Sequence, residues 1–344
     1  MAMNDEAGGR PPERPLPSTP VTDRGRGWYR GDCHVHPAVS SGGELTPEQL
    51  VAGARAAWLD FLAVTEHNSA DTHGGWGRRA DGDPLVVPGQ EATTRDGHWL
   101  VLGLRPGQLV DWRYGAGDGV IDRHLAEVRR GGGLCVAAHP FAPYDSGSFR
   151  YPYRGFDPGE VWNGPWRSAL PWQADNEAAL AQWGRSLAPD VRRGRWRPAI
   201  GNSDTHLAGQ IGIPHAVVLA DGLRAEAILA GLRAGRSRLA ATNAVELLFT
   251  LTGAGRTAGI GEALTVGGAP GVVARVDVRG VPAGTVSLHT GRGRVRDAAL
   301  PDTGADTVEW WVGAAEAVES VFVRAEVRDA EGGMAALTNP VLLA

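Results

Sequence analysis

The sequence predicts an α/β protein with a small all-β region appended to it, and three observations carry that reading. Short apolar runs alternate with helix-like stretches from about residue 28 to 241. Most of these runs are continuously apolar, as expected for strands of a parallel sheet covered on both faces, either a closed barrel or an open sheet. After about residue 245 the texture changes to short alternating runs separated by Gly, Asp and Pro, the spacing of a small antiparallel β-sandwich. The 344 residues therefore divide into a leader at 1–27, an α/β unit at 28–244 and an all-β unit at 245–344.

Each element has a local cause. The leader, "MAMNDEAGGRPPERPLPSTPVTDRGRG", is too poor in apolar side chains to order itself and lacks the hydrophobic segment of a secretory signal. The first strand ends in "DCHVHP". In "ELTPEQLVAGARAAWL", Thr46 is placed to cap a helix, Pro47 takes the first helical position, and Gln49 completes a capping box. Leu50, Val51, Ala54, Ala57 and Trp58 then recur at helical spacing. "DFLAVTEH" reads as a strand buried on both faces, and "PLVVPGQEATT", "HWLVLGL", "GLCVAAHP", "GEVWNG", "PAIGNSDTH" and "HAVVLA" read as further strands. Helices are predicted over 120–130, 176–187 and 225–234. In the last third, "VELLFTLTG", "VVARVDVRG", "TVSLHTG", "TVEWWVG" and "SVFVRAEVRD" supply the β-strands.

Composition excludes several classes of function. Hydrophobic residues at 42% and charged residues at 21% describe an ordinary soluble globular protein. With 34 basic against 39 acidic residues and no basic block, neither a nucleic-acid nor an anionic-membrane partner is expected. No apolar run approaches the ~18 residues of a membrane-spanning helix. Cys33 and Cys135 cannot build a disulfide framework, which fits a reducing cytoplasm, and both read as core packing.

The chemistry collects at strand ends. His34 and His36 lie two apart, so both imidazoles leave the first strand on one face. The next strand ends in Glu66 and His67, the third carries Glu91, and His98 opens the following run. "VAAHP" ends in His139, and "GNSDTH" supplies Asp204 and His206. Active sites of parallel α/β folds gather at the carboxyl ends of strands. Imidazole with carboxylate suits Zn²⁺, Mn²⁺ or Fe²⁺, and a carboxylate such as Glu91 among several imidazoles could bridge two ions. There is no G-x-S-x-G nucleophile elbow.

As an ordered set, "DCHVHP", "FLAVTEHN", "VPGQEATT" followed by "GH", "VAAHP" and "GNSDTH" resemble the polymerase-and-histidinol-phosphatase (PHP) metallohydrolases over residues 29–239. "EVWNGPW", "IGIPHAVVL", "LRAGRSRLA" and the closing "LTNPVLL" look like the carbaryl-hydrolase (CehA/McbA-like) branch. The resemblance implies a distorted (β/α)7 PHP-type barrel holding two or three divalent ions. It implies His34, His36 and Asp204 as ligands of one ion, Glu91 as the bridging carboxylate, His98 and His139 as ligands of a second, and His67 and His206 as ligands of a third. The family commonly has a further ligand shortly after its H-x-H pair, where this chain has Ser41. Glu66 replaces the more usual Asp before His67 and reads as a residue that orients a ligand.

The expected mechanism is hydrolysis by a metal-bound hydroxide, with His206, Asp204 and His67 nearby. A phosphomonoesterase or phosphodiesterase acting on a small molecule leads; hydrolysis of a carbamate, ester or amide is the alternative, and a non-catalytic metal-stabilised binding module is a third reading. The long loop "HPFAPYDSGSFRYPYRGFDPG" could cover the site with Tyr144, Asp145, Arg150, Tyr153 and Arg154, an arginine there holding a phosphate. Asn163, His73 and His215 are further candidates for substrate contact, Trp162 and Trp166 for wall or core, and His289 for the surface. The all-β unit reads as a packing and dimerisation element.

Overall fold

The computed structural model describes residues 22–38, 42–76, 82–267 and 270–344. The first unit comprises β1 (Arg26–Val35), α1 (Pro47–Ala56), β2 (Phe61–His67), β3 (Leu85–Thr94), β4 (Gly97–Leu102), α2 (Ile121–Arg130), β5 (Leu134–Ala137), β6 (Gly159–Asn163), α3 (Asn176–Arg192), β7 (Ala199–Asn202), β8 (His215–Asp221), α4 (Ala225–Arg233) and β9 (Ser237–Ala240). Thr46 caps α1 as its sequence predicts: the Gln49 amide donates to Thr46 Oγ1 at 3.3 Å, and the Thr46 amide donates to Gln49 Oε1 at 2.8 Å. Helix α3 runs past its expected end, through Pro189 to Arg192.

The sheet order through this unit is β9-β8-β1-β2-β3-β4-β5-β6-β7. The pairs β1·β2, β2·β3, β5·β6 and β6·β7 are parallel, whereas β3·β4, β4·β5, β1·β8 and β8·β9 are antiparallel. The unit is thus a mixed sheet, not the all-parallel one expected. The cause is local: Arg95-Asp96 turns β3 directly into β4, and a tight turn can join only antiparallel neighbours. The sheet curls until the segment after β7 meets the end of β1, where Val35 bridges Thr205 in parallel and the His36 amide donates to the Thr205 carbonyl at 3.0 Å. Gly31 in β1 makes room for this interior: a Cβ there would lie 2.2 Å from the Phe61 ring, and Phe61 is fully buried.

The leader ends earlier than expected. Arg24 already forms a two-pronged pair with Asp60 at 3.0 and 2.9 Å, and β1 begins at Arg26. Residues 1–21 of the expected leader, and Ser41, lie outside the described residues.

The second unit contains β10 (Glu246–Gly253), β11 (Arg256–Gly259), β12 (Ala263–Leu264), β13 (Gly271–Arg279), β14 (Thr285–Thr290), β15 (Gly293–Ala299), β16 (Asp306–Gly313), α5 (Ala314–Ser320), β17 (Phe322–Arg328), β18 (Met334–Thr338) and β19 (Val341–Leu343). Strands β11-β10-β13-β16 form one layer. Its inward residues Leu247, Phe249, Leu251, Val272, Ala274 and Val276 pack on Val286, Leu288, Val323, Ala325 and Val327 of the other layer. That other layer is not separate. Strand β18 pairs with β9, so the sandwich's second sheet continues the curled sheet of the first unit, and Val217 and Ala240 join its core. Among the described residues no helix is long and apolar enough to cross a membrane.

Asn339, between β18 and β19, fastens the two units. It is fully buried; its Oδ1 accepts the Ala199 amide at 2.8 Å, and its Nδ2 donates to the carbonyls of Ala199 and Ser237 at 2.9 and 3.0 Å. Asn339→Ala removes the side-chain partner of the buried Ala199 amide and carbonyl, while the Ser237 carbonyl keeps the backbone amide of residue 339, for an expected loss of about 2–3 kcal/mol. Urea unfolding of parent and variant checks this, and a difference under about 0.5 kcal/mol would place Asn339 among ordinary surface substitutions.

Candidate metal centre

The strand ends deliver their side chains to one place for reasons of register. His34 and His36 leave the end of β1 on one face, and β2, parallel to β1, brings His67 alongside. In the β3–β4 hairpin Glu91 pairs with Leu100 and Thr93 with His98, so Glu91 and His98 share a face as diagonal neighbours. His139 follows β5 by two residues, and Asp204 and His206 follow β7. Asp204 has φ +52°, the left-handed region that Asp tolerates better than most side chains.

Glu91 is the hub. One carboxylate oxygen, Oε1, lies 2.9 Å from both His98 Nδ1 and His139 Nε2. The other, Oε2, lies 3.1 Å from His67 Nδ1 and 3.5 Å from the Nε2 atoms of His34 and His36. Asp204 Oδ1 lies 3.3 Å from His34 Nε2 and 3.0 Å from His36 Nε2. His36 stacks between His67 and His206, with ring centroids 4.3 Å away on each side. Three groups present ligand atoms within 4.8 Å of one another: His34, His36 and Asp204; His34, Glu91 and His139; and His36, His67 and His206.

These residues fit divalent ions. His34 Nε2, both nitrogens of His36, Glu91 Oε2, His139 Nδ1 and Asp204 Oδ1 are buried without a hydrogen-bond partner, a costly arrangement unless a cation completes it. Burial pushes His36 down to about 3, so its ring is neutral and offers a lone pair. Burial also opposes a charge on His34, yet Asp204, Glu160 and Glu91 together draw its pKa well above the usual histidine value. The site therefore favours positive charge where His34 Nε2 points. Among the described residues, every ion pair formed by Glu91, Glu160 and Asp204 is with a histidine.

A second ring of polar groups holds these side chains, and most of it leaves little signal in the sequence. Glu160, fully covered in β6, accepts from His34 Nδ1 at 3.2 Å, the His139 amide at 2.7 Å, Asn202 Nδ2 at 2.8 Å and Asn163 Nδ2 at 3.2 Å. Asp32 accepts the Ser203 and Gly212 amides at 3.1 and 3.0 Å, tying the end of β1 to the segments that follow β7. Their only signal in the sequence is a carboxylate inside an otherwise apolar strand, "GEVWNG" and "GDCHVHP".

The remaining candidates separate. Asn163 does reach the cluster, but its amide is spent on Glu160 and, at 3.3 Å, on Asp204 Oδ2, so it positions carboxylates. Tyr144 faces the cluster, its ring centroid 6.0 Å from His98 and 6.3 Å from His139. Gly147 admits that ring, since a Cβ there would lie 2.2 Å from it. Arg150 instead pairs with Asp96 at 3.5 Å and Asp145 at 3.9 Å, and Arg154 with Asp122 at 3.7 Å. His73 is buried, with Nε2 on the Gly89 carbonyl and Nδ1 accepting the Gly107 amide. Glu66 accepts from the Thr72 amide and hydroxyl, so it anchors the turn that follows β2. Trp162 is core and Trp166 packs edge-on against it at 5.2 Å. His289 is not on the open surface: it is mostly covered, bonded to Ser287 Oγ at 3.0 Å, and burial lowers its pKa to about 4.

His215 opens β8, fully buried, its Nδ1 donating to the Gly212 carbonyl at 3.0 Å. Burial, reinforced by Arg30 and Arg238, lowers its pKa from 6.5 to about 4. Above pH 6.5 it is neutral in both folded and unfolded chains. As pH falls towards 4 the unfolded chain takes up a proton that the folded chain refuses, so stability falls by roughly 3 kcal/mol in that window. His215→Gln is expected to remove this component from the pH dependence of urea unfolding; an unchanged slope would exclude His215 as its source.

No family model matches the chain, and no curated protein matches it. Among solved structures, a two-domain protein from Bacteroides vulgatus, described as containing a predicted PHP-like metal-dependent phosphoesterase, is 17% identical with a TM-score of 0.48, covering 96% of this chain and 99% of that one. A second, from Bifidobacterium adolescentis, carries a provisional description as a metal-dependent phosphoesterase; it is 18% identical with a TM-score of 0.33, covering 52% of this chain and 88% of that one. Both of these structures are described as metal-dependent phosphoesterases, one of them PHP-like.

Proposed function

We propose that the chain is a metal-dependent hydrolase of PHP type acting on a small phosphomonoester or phosphodiester. The observation that carries this reading is the convergence of buried, unpartnered nitrogen and oxygen atoms on Glu91 and Asp204. His34, His36, His67, Glu91, His98, His139, Asp204 and His206 would hold two or three divalent ions, of Zn, Mn or Fe. When bound, such ions lower the pKa of water towards ~7 and neutralise charge on the substrate's oxygen atoms.

The chain's own residues supply the rest. Glu91 shares its two oxygens among five imidazoles, so one carboxylate fixes their spacing. Glu160 accepts the Nδ1 proton of His34 and thereby turns the Nε2 lone pair inward. Tyr144 keeps its proton, because burial and the nearby carboxylates raise its pKa, and its hydroxyl is a candidate donor to a leaving oxygen. An uncharged ester or carbamate is the second reading. It is favoured by the loop arginines, since Arg150 and Arg154 are paired with aspartates away from the ligands.

The test is metal analysis of purified protein with assays on p-nitrophenyl phosphate, bis(p-nitrophenyl) phosphate and a naphthyl carbamate. At least one ion per chain is expected, with turnover of a phosphate ester. Turnover of the carbamate alone selects the second reading; bound ions without turnover leave the metal-stabilised binding module, and no bound ion with no turnover overturns the enzyme reading. His34→Ala is expected to lose metal and activity with the fold intact by circular dichroism, and full activity in that variant would refute the ligand assignment.

A further inference from the structure

A second cleft lies at the other pole of the sheet. Arg197 stands just before β7, Tyr153 and Arg154 stand just before β6, and Arg129 ends the helix that feeds β5. The cleft between them encloses about 370 Å³, within the usual ~300–1,000 Å³ of small-ligand sites. We propose that it binds a small organic phosphate carrying a planar ring, independently of the metal centre.

The charge at its floor is the first argument. Arg197 is 7% exposed, yet it forms no ion pair among the described residues. Among the described residues its guanidinium meets Gln182 Oε1 at 3.1 Å and the face of the Tyr153 ring, 4.3 Å from its centroid. A buried cation is costly unless it is neutralised, and an amide and a ring do not neutralise it. Gly159 is what admits this side chain, since a Cβ there would lie 2.9 Å from Arg197 Nε.

The second argument is the surplus at the mouth. Arg129 has Asp157 at 3.2 Å and Arg154 has Asp122 at 3.7 Å. Among the described residues Asp190 is the one carboxylate lining the cleft; it lies 3.6 Å from Arg193 and also acts on Arg197 from a distance. Arg195 and Arg197 form no ion pair among the described residues, and one carboxylate against Arg193, Arg195 and Arg197 leaves two positive charges in excess. A phosphate monoester, at about −1.5 to −2 near neutral pH, matches that surplus, where a carboxylate would meet half of it. Guanidinium forks also match phosphate oxygens in geometry. The third argument is the wall: Arg197 and Phe149 cover the Tyr153 ring, and the Trp196 indole lines the cleft beside it as a surface on which a planar ring can stack.

Calorimetric titration of the full chain tests this, with AMP as probe and adenosine as its uncharged counterpart. One AMP is expected per chain at this cleft with Kd below roughly 1 mM, adenosine binding at least ~10-fold more weakly. His34→Ala should retain that affinity, whereas Arg197→Gln should lose ~10-fold or more. If Arg197→Gln fails to fold, the exposed Arg195→Gln decides, with an expected weakening of ~3-fold or more. Three results overturn the proposal: no saturable binding, equal affinity for adenosine and AMP, or binding lost in His34→Ala but untouched by the arginine substitutions, which would place AMP at the metal centre.

Discussion

Glu91→Ala is expected to abolish metal binding and to lower hydrolysis of the best phosphate substrate by ~10³-fold or more, about 4 kcal/mol of transition-state stabilisation. The size follows from its position. Five histidines face its two oxygens between 2.9 and 3.5 Å, so every candidate ion loses either a ligand or a neighbour that fixes one. Stability should fall in the metal-free protein as well. Burial opposes a charge on Glu91, yet His67, His34 and His98 hold its carboxyl well below the usual carboxylate range, and removing it leaves those buried imidazoles without their partner. The metal-free variant should therefore melt below the metal-free parent, and added metal should raise only the parent's melting temperature, as ligand linkage requires. Thermal unfolding with and without Zn²⁺ or Mn²⁺ measures both. If added metal stabilises parent and variant equally, Glu91 is no ligand, and the centre must be rebuilt around Asp204 alone.

The prominence of Glu91 also shows what kind of information the sequence carried. A residue that ends a strand is readable, because the strand's apolar run announces its end and the polar side chain stands out beyond it. His34, His36, His67, His139, Asp204 and His206 were legible in this way, and the capping box at Thr46 was legible for a similar local reason. Two things were not legible. Strand direction depends on the length and path of connections: the two-residue turn at Arg95-Asp96 makes β4 antiparallel, and "GQEATTRDGHW" does not say so until the strand ends are known. Partnership across the sheet was equally hidden. Arg150 and Arg154 read as anion-binding groups because their loop follows His139, and only the fold reveals Asp96 and Asp122 beside them. The all-β unit was recognised from its alternation, but alternation describes a face, not its neighbour, so the continuity of β18 with β9 could not be seen.

Glu160 is the sharpest case, and its substitution carries the second large expected effect. As a residue inside β6 it looked like part of an ordinary strand, yet four donors converge on it: His34 Nδ1 and Asn202 Nδ2 on one oxygen, the His139 amide and Asn163 Nδ2 on the other. An ionised carboxylate accepts about four hydrogen bonds, so this one is saturated. Glutamine keeps the shape but exchanges one oxygen for an amino group, which would face two donors with donors of its own. Glu160→Gln is therefore expected to be nearly as damaging as Glu160→Ala, each weakening metal affinity or activity by ~10–100-fold, with no direct contact to an ion required. Aspartate, one methylene shorter, should recover part of the loss, because charge and acceptors survive even where the reach does not. A competition titration with a chelating dye, run on all three variants, separates the alternatives. If glutamine binds metal as the parent does and aspartate does not, then Glu160 fills space, and the orientation of His34 has some other source. If alanine and glutamine fall together and aspartate rises above them, the carboxylate's acceptors are what hold His34 Nε2 towards the ions.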